Sequence, residues 1–303
     1  MKLSVVLVTR NEAHLLEECL SRLGFEDELI VLDMQSTDES VAIAERFGAR
    51  VVTIEPDPFV VRVRNIGLDE AAGEWVLYLD PDEYVPPGFG DALRAGLEHS
   101  DAAAYYMPFR TMGFGRTLYY GDVQEEMPRW WSSPGEHDEN VHWPAKLCLF
   151  RASHARWPDE CTNAHVEPVV DGRVDRWHGE PIEHHCFRDV PQMMEKMTRY
   201  NEAADSAQWG DKPLTVMMPF KTLYQHMVTE KWWRDGSAGV ALALLFTMRD
   251  WQRALRLWEE GSWREAPVAN AATRSTMSGL ELLQDVTRSV KTRLKGRLSS
   301  SAG

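Results

Sequence analysis

Cysteine is scarce in this chain, and no long apolar run interrupts it. The 303 residues contain four cysteines, far apart and without a Cys-x-x-Cys pair, which excludes a disulfide-stapled scaffold and favours a reducing compartment. No segment approaches the roughly 20 apolar residues of a membrane-spanning helix, since the longest candidate, residues 239–248, ends at Arg249. The apolar run at residues 3–8 is too short for a signal peptide, so we expect a cytoplasmic protein.

Positive charge is also scarce. The 47 acidic residues outnumber the 33 lysines and arginines, and the formal net charge of −14 argues against a nucleic-acid binder with a broad basic surface. The exception is the tail from residue 287, which has no acidic residue and five basic ones: Arg288, Lys291, Arg293, Lys295 and Arg297. Such a tail is usually only solvated, but it is also a candidate for peripheral contact with the anionic inner face of a membrane.

Three glycine-based motifs are missing. No Gly-x-Gly-x-x-Gly follows the first apolar strand, which weakens a dinucleotide-binding interpretation. The chain has no Gly-x-x-x-x-Gly-Lys-Ser/Thr, which excludes a P-loop, and no Gly-x-Ser-x-Gly, which disfavours an α/β-hydrolase. A nucleotide site in this protein would therefore need a different arrangement of phosphate-binding groups.

The first hundred residues show a regular alternation of strand and helix patterns. Apolar strands are predicted at residues 3–8, 28–32, 49–54 and 75–79. Helices are predicted between them, the first capped by Asn11 and the third spanning residues 62–72. This rhythm predicts an α/β fold with a mostly parallel sheet flanked by helices, in which ligands bind beyond the carboxyl ends of the strands.

The pattern changes after residue 100. Strand-like pieces at 103–110, 118–120 and 145–151 surround a polar loop, and helical patterns follow at 193–207, 214–231, 239–260 and 276–298. We therefore expect a domain of residues 1–212, with halves 1–100 and 101–212. A C-terminal helical extension, residues 213–303, would follow and end in the basic tail.

Carboxylates directly follow the fourth predicted strand. In Asp80-Pro81-Asp82-Glu83 the acidic side chains repel one another unless a cation neutralises them, and hard oxygen ligands suit Mg²⁺ or Mn²⁺ on a phosphate. The alternative is an acidic turn in solvent. Asp33 ends the second strand, where it can bond a ribose hydroxyl or a base. Arg64 precedes the fourth strand, where it would meet a phosphate or remain an exposed helix residue.

Four motifs occur in a fixed order: Val5-Val6-Leu7-Val8-Thr9-Arg10-Asn11-Glu12, Asp33 with Ser36-Thr37-Asp38, Arg62-x-Arg64-Asn65-x-Gly67, and Gly73-Glu74-Trp75-x-Leu77-x-Leu79-Asp80-x-Asp82-Glu83. This set resembles glycosyltransferase family 2, whose members have the GT-A fold, and within it the branch of lipopolysaccharide-core glucosyltransferases. The resemblance is dense over residues 3–86 and thinner beyond them. It implies a metal-dependent, inverting hexosyltransferase of envelope polysaccharide synthesis. The enzyme would move a sugar from a nucleotide-sugar, expected to be a UDP-sugar, to a hydroxyl of a saccharide or lipid-linked saccharide.

The resemblance also assigns roles to residues. Asp80 and Asp82 would form the family's Asp-x-Asp motif and bind a divalent metal, with Asp82 the more direct ligand. Pro81 replaces the small residue that usually stands between them, which stiffens the turn and removes no ligand. The nucleotide-sugar would be bound by six residues, namely Thr9, Asn11, Glu12, Asp33, Arg64 and Asp80.

An inverting transfer needs a general base that takes the proton of the acceptor hydroxyl. Relatives often have a His-Glu pair in the acceptor half, and here the pair is split as His165-Val166-Glu167. We therefore expect Glu167 as the base, with Glu160 second and Asp159 third. Each of the three is also explained as an ordinary surface acid.

Two later segments extend the resemblance. His184 lies in a strand pattern before a helix with Lys196 and Tyr200, and would be a further metal ligand or a phosphate contact, although a lone histidine is more often structural. Residues 232–239 resemble an Arg-Asp-Gly-x-x-Gly segment of the same branch. Three tryptophans of the polar loop are candidates for stacking on acceptor sugar rings, namely Trp130, Trp131 and Trp143.

Three other interpretations remain open. A catalytically degenerate saccharide- or nucleotide-binding protein of the same fold would bind donor without turnover, which the split His165-x-Glu167 pair makes conceivable. A sugar-phosphate nucleotidyltransferase would normally carry a glycine-rich, basic loop after the first strand, which residues 9–13 do not provide. A histidine-rich zinc protein would need tetrahedral ligand spacing, and the ten histidines offer only the loose pair His184-His185.

Overall fold

The computed structural model describes residues 1–57, 60–120, 129–132, 142–158, 166–203 and 218–260. Contacts divide the chain into two units, Met1–Ala204 with Lys231–Val240, and Asp205–Glu230 with Ala241–Gly303. The domain boundary expected at residue 212 lies outside the described residues and stays a prediction. The first unit also contains a short segment, 231–240, that the sequence assigned to the helical extension.

Four parallel strands begin the first unit, and three helices connect them. The strands β1 (Leu3–Thr9), β2 (Glu28–Asp33), β3 (Arg50–Thr53) and β4 (Trp75–Leu79) pair in the order β3-β2-β1-β4. The helices are α1 (Ala13–Ser21), α2 (Ser40–Arg46) and α3 (Val60–Glu70). All seven residues of β1 are buried, as a central parallel strand requires. The predicted alternation of strands and helices is confirmed.

The prediction that Asn11 caps α1 is wrong. Asn11 has a φ of 56°, in the left-handed region that asparagine tolerates, and its Oδ1 accepts the Thr37 N–H at 2.7 Å. The start of α1 is held instead by Asp38, whose carboxylate accepts the Ala13 N–H at 3.0 Å. A residue of the neighbouring loop thus satisfies the helix end, and the loops after β1 and β2 are joined.

The second half of this unit extends the same sheet with strands of mixed direction. Its elements are β5 (Glu83–Tyr84), α4 (Phe89–Leu97), β6 (Ala104–Gly113), β7 (Arg116–Thr117), β8 (Arg129–Ser132), β9 (His142–Arg151), β10 (Ala155–Arg156), β11 (Val169–Val170), β12 (Val174–Arg176), β13 (Ile182–Phe187) and α5 (Val190–Ala203). The main path runs β3-β2-β1-β4-β9-β6-β13-β5, with β7 and β12 on β6 and β8 on β9. The strand β9 is antiparallel to both of its neighbours, β4 and β6. The strands β12 and β13 are parallel to β6, and the other added pairings in this sheet are antiparallel.

The predicted strand at residues 118–120 is wrong. The hairpin partner of β6 is Arg116–Thr117, and the Leu118 N–H donates to the Thr111 carbonyl at 2.9 Å. After Leu118, the backbone N–H groups of Tyr119 and Tyr120 donate to the Asp235 side chain. Because a carboxylate replaces a neighbouring strand as their acceptor, the ladder ends there.

Helices dominate the last described part of the chain. The helix α6 (Met218–Tyr224) continues as a short π-helix, Gln225–Thr229, and α7 spans Ser237–Glu260. Residues 214–217 of the predicted helix 214–231 lie outside the described residues, and its described part is helical from 218 to 229. The predicted helix 239–260 is confirmed, and 276–298 lies outside the described residues. Among the helices that the structure describes, none combines the length and the apolar character needed to cross a bilayer.

Buried aromatic rings fill the space between α3 and the sheet. The Trp157 ring lies 5.1 Å from the Tyr78 ring and 5.4 Å from the Phe150 ring, all three being fully or nearly fully buried. At Gly67 in α3, an added Cβ would lie 2.7 Å from Val6 Cγ1 of β1. The close contact that glycine permits here sets the height of α3 above the sheet, and with it the position of Arg64.

Candidate active site

The loops after β1 and β2 interlock at the carboxyl edge of the sheet. The buried Asp33 carboxylate accepts the Ser36 N–H at 3.1 and 3.2 Å, and the Ser36 hydroxyl accepts the Asn11 N–H at 2.9 Å. Two predicted donor-site residues, Asn11 and Asp33, therefore belong to one hydrogen-bonded network. That network fixes the backbone at the edge where parallel sheets bind their ligands.

Thr9 ends β1 and is fully buried. Its Oγ1 has no hydrogen-bond partner within the described part of the chain. A buried hydroxyl without a partner is unfavourable, so a polar ligand group that reached this place would be stabilised. Three residues further on, the Glu12 N–H donates to Ser40 Oγ at 3.1 Å and ties this loop to α2.

Asp80 follows β4 directly, and two cations hold its carboxylate. Arg64 Nη2 donates to Oδ1 at 2.9 Å, and Lys146 Nζ donates to Oδ2 at 2.7 Å. Burial on its own raises the pKa of Asp80, but Lys146 and Arg64 outweigh it and hold the pKa below its usual range. The Arg64 guanidinium lies over the Trp157 ring at 5.6 Å, which restricts its direction.

Lys146 and the burial of Glu83 are features that the sequence analysis missed. Lys146 Nζ, on β9, also donates to Glu83 Oε1 at 2.7 Å, and the second Glu83 oxygen accepts the Asp80 N–H at 2.9 Å. Glu83 is 1% exposed, and burial raises its pKa. The available signal was a lysine inside the apolar run of residues 145–150, where a buried cation requires a buried anion.

The pairing of β5 with β13 brings His184 to Asp82. His184 lies opposite Glu83 in the register, and its Nε2 is 3.6 Å from Asp82 Oδ1. From α5, Lys196 Nζ lies 3.3 Å from Asp82 Oδ2. The His185 N–H donates to the Asp82 carbonyl at 2.7 Å, which fixes the turn that carries the motif.

Opposite charges shift the pKa values of Asp82 and His184. Burial raises the pKa of Asp82, but Lys196 and His184 outweigh it, and the pKa lies below its usual range. Burial lowers the pKa of His184, but Cys186 and Asp82 outweigh it, and the pKa lies well above the usual value. Asp82 is consequently ionised at neutral pH, and Lys196 and the His184 ring lie beside its carboxylate.

The donor set at Asp82 fits a divalent cation. No three side chains of His, Cys, Asp or Glu are grouped as a complete metal site in the described ranges. Mg²⁺ and Mn²⁺ at phosphate sites, however, commonly take only one or two protein ligands and complete their shell with phosphate oxygens and water. A carboxylate oxygen and an imidazole nitrogen 3.6 Å apart match that requirement when the His184 ring has lost its proton to make way for the metal, and a neutral imidazole suits Mn²⁺ better than Mg²⁺.

The structure describes one of the three candidate bases, since Glu160 and Asp159 lie outside the described residues. Glu167 is exposed, and its Oε2 accepts the Tyr106 hydroxyl at 2.7 Å. Its neighbour Val166 is anchored by Trp157, whose Nε1 donates to the Val166 carbonyl at 3.1 Å. Trp157 therefore contacts both Arg64, among the donor-site candidates, and the segment that carries Glu167.

The predicted donor-site residues thus form two groups. In the first group, Arg64 donates a hydrogen bond to Asp80. Asp82, two residues further along the chain, belongs to the same group and has His184 beside it. Asn11 and Asp33 form the second group at the ends of β1 and β2. The structure adds Lys146, Glu83 and a contact of Lys196 to these groups.

Comparison with known proteins gives a consistent family. The model of "Glycosyl transferase family 2" matches residues 4–157. An uncharacterised glycosyltransferase of Rickettsia bellii is 36% identical over 289 residues, which cover 90% of each chain. A TPR repeat-containing protein of Synechococcus elongatus is 35% identical over 105 residues, or 34% of this chain. The match spans only 26% of that relative's own length.

One similar solved structure is glucosyl-3-phosphoglycerate synthase from Mycobacterium tuberculosis, in complex with Mn²⁺ and UDP-glucose. It is 29% identical with a TM-score of 0.32, over 36% of this chain and 44% of that one. The family assignment rests on the sequence matches. Because the family model covers half of the chain, and one relative matches nine-tenths of it, the chain belongs to glycosyltransferase family 2 and has its α/β fold of the GT-A type.

Proposed function

We propose that this protein is an inverting, metal-dependent hexosyltransferase. It takes a sugar from a nucleotide-sugar, with UDP-sugar as the donor, and attaches it to a hydroxyl of a saccharide or lipid-linked saccharide. The observation that carries the proposal is the position of Asp80 and Asp82. Both lie directly after β4, beside the ends of β1 and β2, where an α/β sheet binds nucleotides.

The donor would lie across the two groups of residues described above. The nucleoside end is proposed to lie against Asp33, Asn11, Glu12 and the Thr9 hydroxyl, because these residues border the carboxyl ends of β1 and β2. Arg64 and Asp80 are proposed for the ribose and diphosphate. Asp80 remains the second metal-ligand candidate, behind Asp82, because Arg64 and Lys146 already occupy its carboxylate.

Asp82 and His184 are proposed to hold Mn²⁺ or Mg²⁺, which when bound would neutralise charge on the diphosphate. The residues of the chain do the rest of the positioning. Lys146 and Glu83 hold the turn that carries Asp82, and the His185 N–H fixes its backbone. Such preorganisation is needed because charge increases on the leaving group during transfer.

Glu167 is proposed as the general base. Its carboxylate would take the proton of the acceptor hydroxyl while the acceptor oxygen forms a bond to the anomeric carbon. The bond from that carbon to the phosphate oxygen breaks, its electron pair stays on the oxygen, and a nucleoside diphosphate leaves. Attack from the face opposite the leaving group inverts the configuration. Tyr106 would orient the carboxylate through its hydrogen bond to Oε2.

We also propose peripheral contact with the inner face of a membrane, in keeping with an acceptor of envelope polysaccharide synthesis. The second unit exposes large apolar side chains on α6 and α7, among them Phe220, Tyr224, Leu244, Met248 and Leu255. Apolar side chains together with the basic tail are the combination that binds anionic lipid surfaces. The resemblance of residues 232–239 supports placing the chain in the lipopolysaccharide-core glucosyltransferase branch.

The proposal is tested by thermal unfolding of the purified protein with UDP, GDP, CDP and ADP, each with and without Mn²⁺. A ligand at a hundredfold excess over its dissociation constant stabilises the folded state by about 2.7 kcal/mol. We expect UDP to raise the midpoint only when Mn²⁺ is present, and Asp82→Asn to abolish the rise. Asp171→Asn, at an exposed turn, is the matched control. No shift with any nucleotide and metal would contradict the proposed donor site.

A further inference from the structure

The two aspartates of the Asp-x-Asp motif are each paired with a lysine, and the two lysines differ in burial and in the lengths of their hydrogen bonds. Lys146, on β9, bonds two carboxylates at 2.7 Å and its side chain is 10% exposed. Lys196, on α5, lies 3.3 Å from Asp82 Oδ2 and 3.5 Å from the Cys186 carbonyl, and is 19% exposed. These two contacts of Lys196 are at or beyond the long end of the normal range, whereas the two of Lys146 are short.

Lys146 is fixed in place by its partners. Its removal would leave Glu83, which is 1% exposed, as a buried anion without a cation. Removal of Lys196 would not leave its carboxylate without a neighbour, since Asp82 has His184 at its other oxygen. Of the two lysines, Lys196 is therefore the one that can exchange its partner.

A divalent cation bound to Asp82 and His184 would change the charge around Lys196. The carboxylate that attracts the ammonium group would then be shared with a stronger cation, and the two cations would repel each other. Lys196 is flexible along four side-chain bonds and has three donors. The anion that would then lie within its reach is the diphosphate that accompanies the metal.

We propose that Lys196 is a further diphosphate-binding residue of this site, beside Arg64. It rests on Asp82 in the free protein and moves to the terminal phosphate of the nucleoside diphosphate group when metal and donor bind. This inference rests on the proposed function. During transfer, the charge that collects on the departing phosphate oxygen would be stabilised by the ammonium group, which touches the leaving group.

The proposal predicts two effects of opposite sign for Lys196→Met. Without nucleotide, Mn²⁺ should bind about threefold or more tightly, because a competing cation has been removed from Asp82. With Mn²⁺ present, UDP should bind about tenfold more weakly, because one charge-assisted hydrogen bond to phosphate has been lost. Uridine, which has no phosphate, should bind as it does to the wild-type protein. Titration calorimetry measures all three affinities without requiring an acceptor.

Two variants separate this role from a structural one. Lys196→Arg keeps the positive charge, so it should retain most of the UDP affinity. This prediction can be tested even if Lys196→Met does not fold. Lys221→Met, at an exposed lysine of α6, should change neither affinity. The inference is overturned if Lys196→Met leaves UDP binding unchanged, or if Mn²⁺ and UDP affinities both fall. Failure of the wild-type protein to bind UDP with Mn²⁺ would instead overturn the proposed function, and this inference with it.

Discussion

The Asp235 carboxylate binds the backbone of Tyr120, a residue more than a hundred positions earlier in the chain. It accepts the Tyr120 N–H at 2.8 Å and the Tyr119 N–H at 3.0 Å, and Asp235 is itself only 7% exposed. The neighbouring Arg234 guanidinium lies 4.5 Å above the Tyr120 ring. Residues 232–235 therefore fix the chain just after the β6–β7 hairpin. The residue before Tyr119, Leu118, donates its N–H to the Thr111 carbonyl, and Thr111 lies opposite His184 in the pairing of β6 with β13.

We expect Asp235→Ala to destabilise the first unit. The substitution leaves two backbone N–H groups without their acceptor in a partly buried place, which should cost about 1–3 kcal/mol of unfolding free energy. Urea denaturation followed by tryptophan fluorescence measures the loss. Asp101→Ala is the control, because Asp101 is 78% exposed and its pair with Arg173 lies at the surface. Equal stability of both variants would show that water replaces the Asp235 carboxylate.

The fold class was predictable from the sequence because the first half of the sheet is local. Each parallel strand is joined to the next by one helix, so the periodicity of residues 3–79 defines the elements. The second half is not local in this sense, since β9 inserts antiparallel between β4 and β6. A register shift between Tyr105 and Tyr106 also breaks the alternation along β6 and β9, which no pattern in the sequence marks.

The same distinction applies to the site. Asp80 and Asp82 could be predicted as site residues from the sequence because they immediately follow an apolar strand. Lys146 and Lys196 lie 66 and 114 residues away from these aspartates, and only the folded sheet and α5 bring them there. A single sequence without relatives carries no signal for such pairs beyond the cost of burying a charge.

Lys146 and Glu83 should show strong energetic coupling. Lys146→Met alone leaves Glu83 and Asp80 without their shared cation and should cost about 3–5 kcal/mol of unfolding free energy. Adding Glu83→Gln to that variant removes one buried anion, so the double variant should be more stable than Lys146→Met alone. Urea denaturation of the wild-type protein, both single variants and the double variant measures the coupling. Additive effects would show that the pair contributes no interaction free energy.

Gly67 should be intolerant of a side chain. An alanine Cβ there would collide with the Tyr78 hydroxyl, which bonds the Arg64 carbonyl, and would lie 2.7 Å from Val6 Cγ1. Either α3 or these side chains would have to move. Overpacking of this kind costs about 1–3 kcal/mol. Because Arg64 is on the same helix, we also expect weaker UDP binding by Gly67→Ala in the presence of Mn²⁺. A variant of reduced stability but unchanged nucleotide affinity would separate the packing of α3 from the position of Arg64.

Glu167→Gln should separate catalysis from donor binding. The amide keeps the size and an acceptor for the Tyr106 hydroxyl, but it cannot take a proton, so turnover should fall by about a hundredfold or more. The affinity for UDP with Mn²⁺ should not change, since the residue is proposed to act on the acceptor. Donor hydrolysis or sugar transfer measures turnover, and Glu180→Gln, at an exposed position, is the control.

The same experiment ranks the three base candidates. If Glu167→Gln keeps its turnover while Glu160→Gln or Asp159→Asn loses it, the base lies in the segment before Val166, and Glu167 only orients Tyr106. Trp157→Phe then provides a second measurement. It removes the indole N–H that anchors the Val166 carbonyl but keeps an aromatic ring near Arg64. It should lower turnover with little effect on UDP affinity only if the position of Val166-Glu167 matters for the reaction.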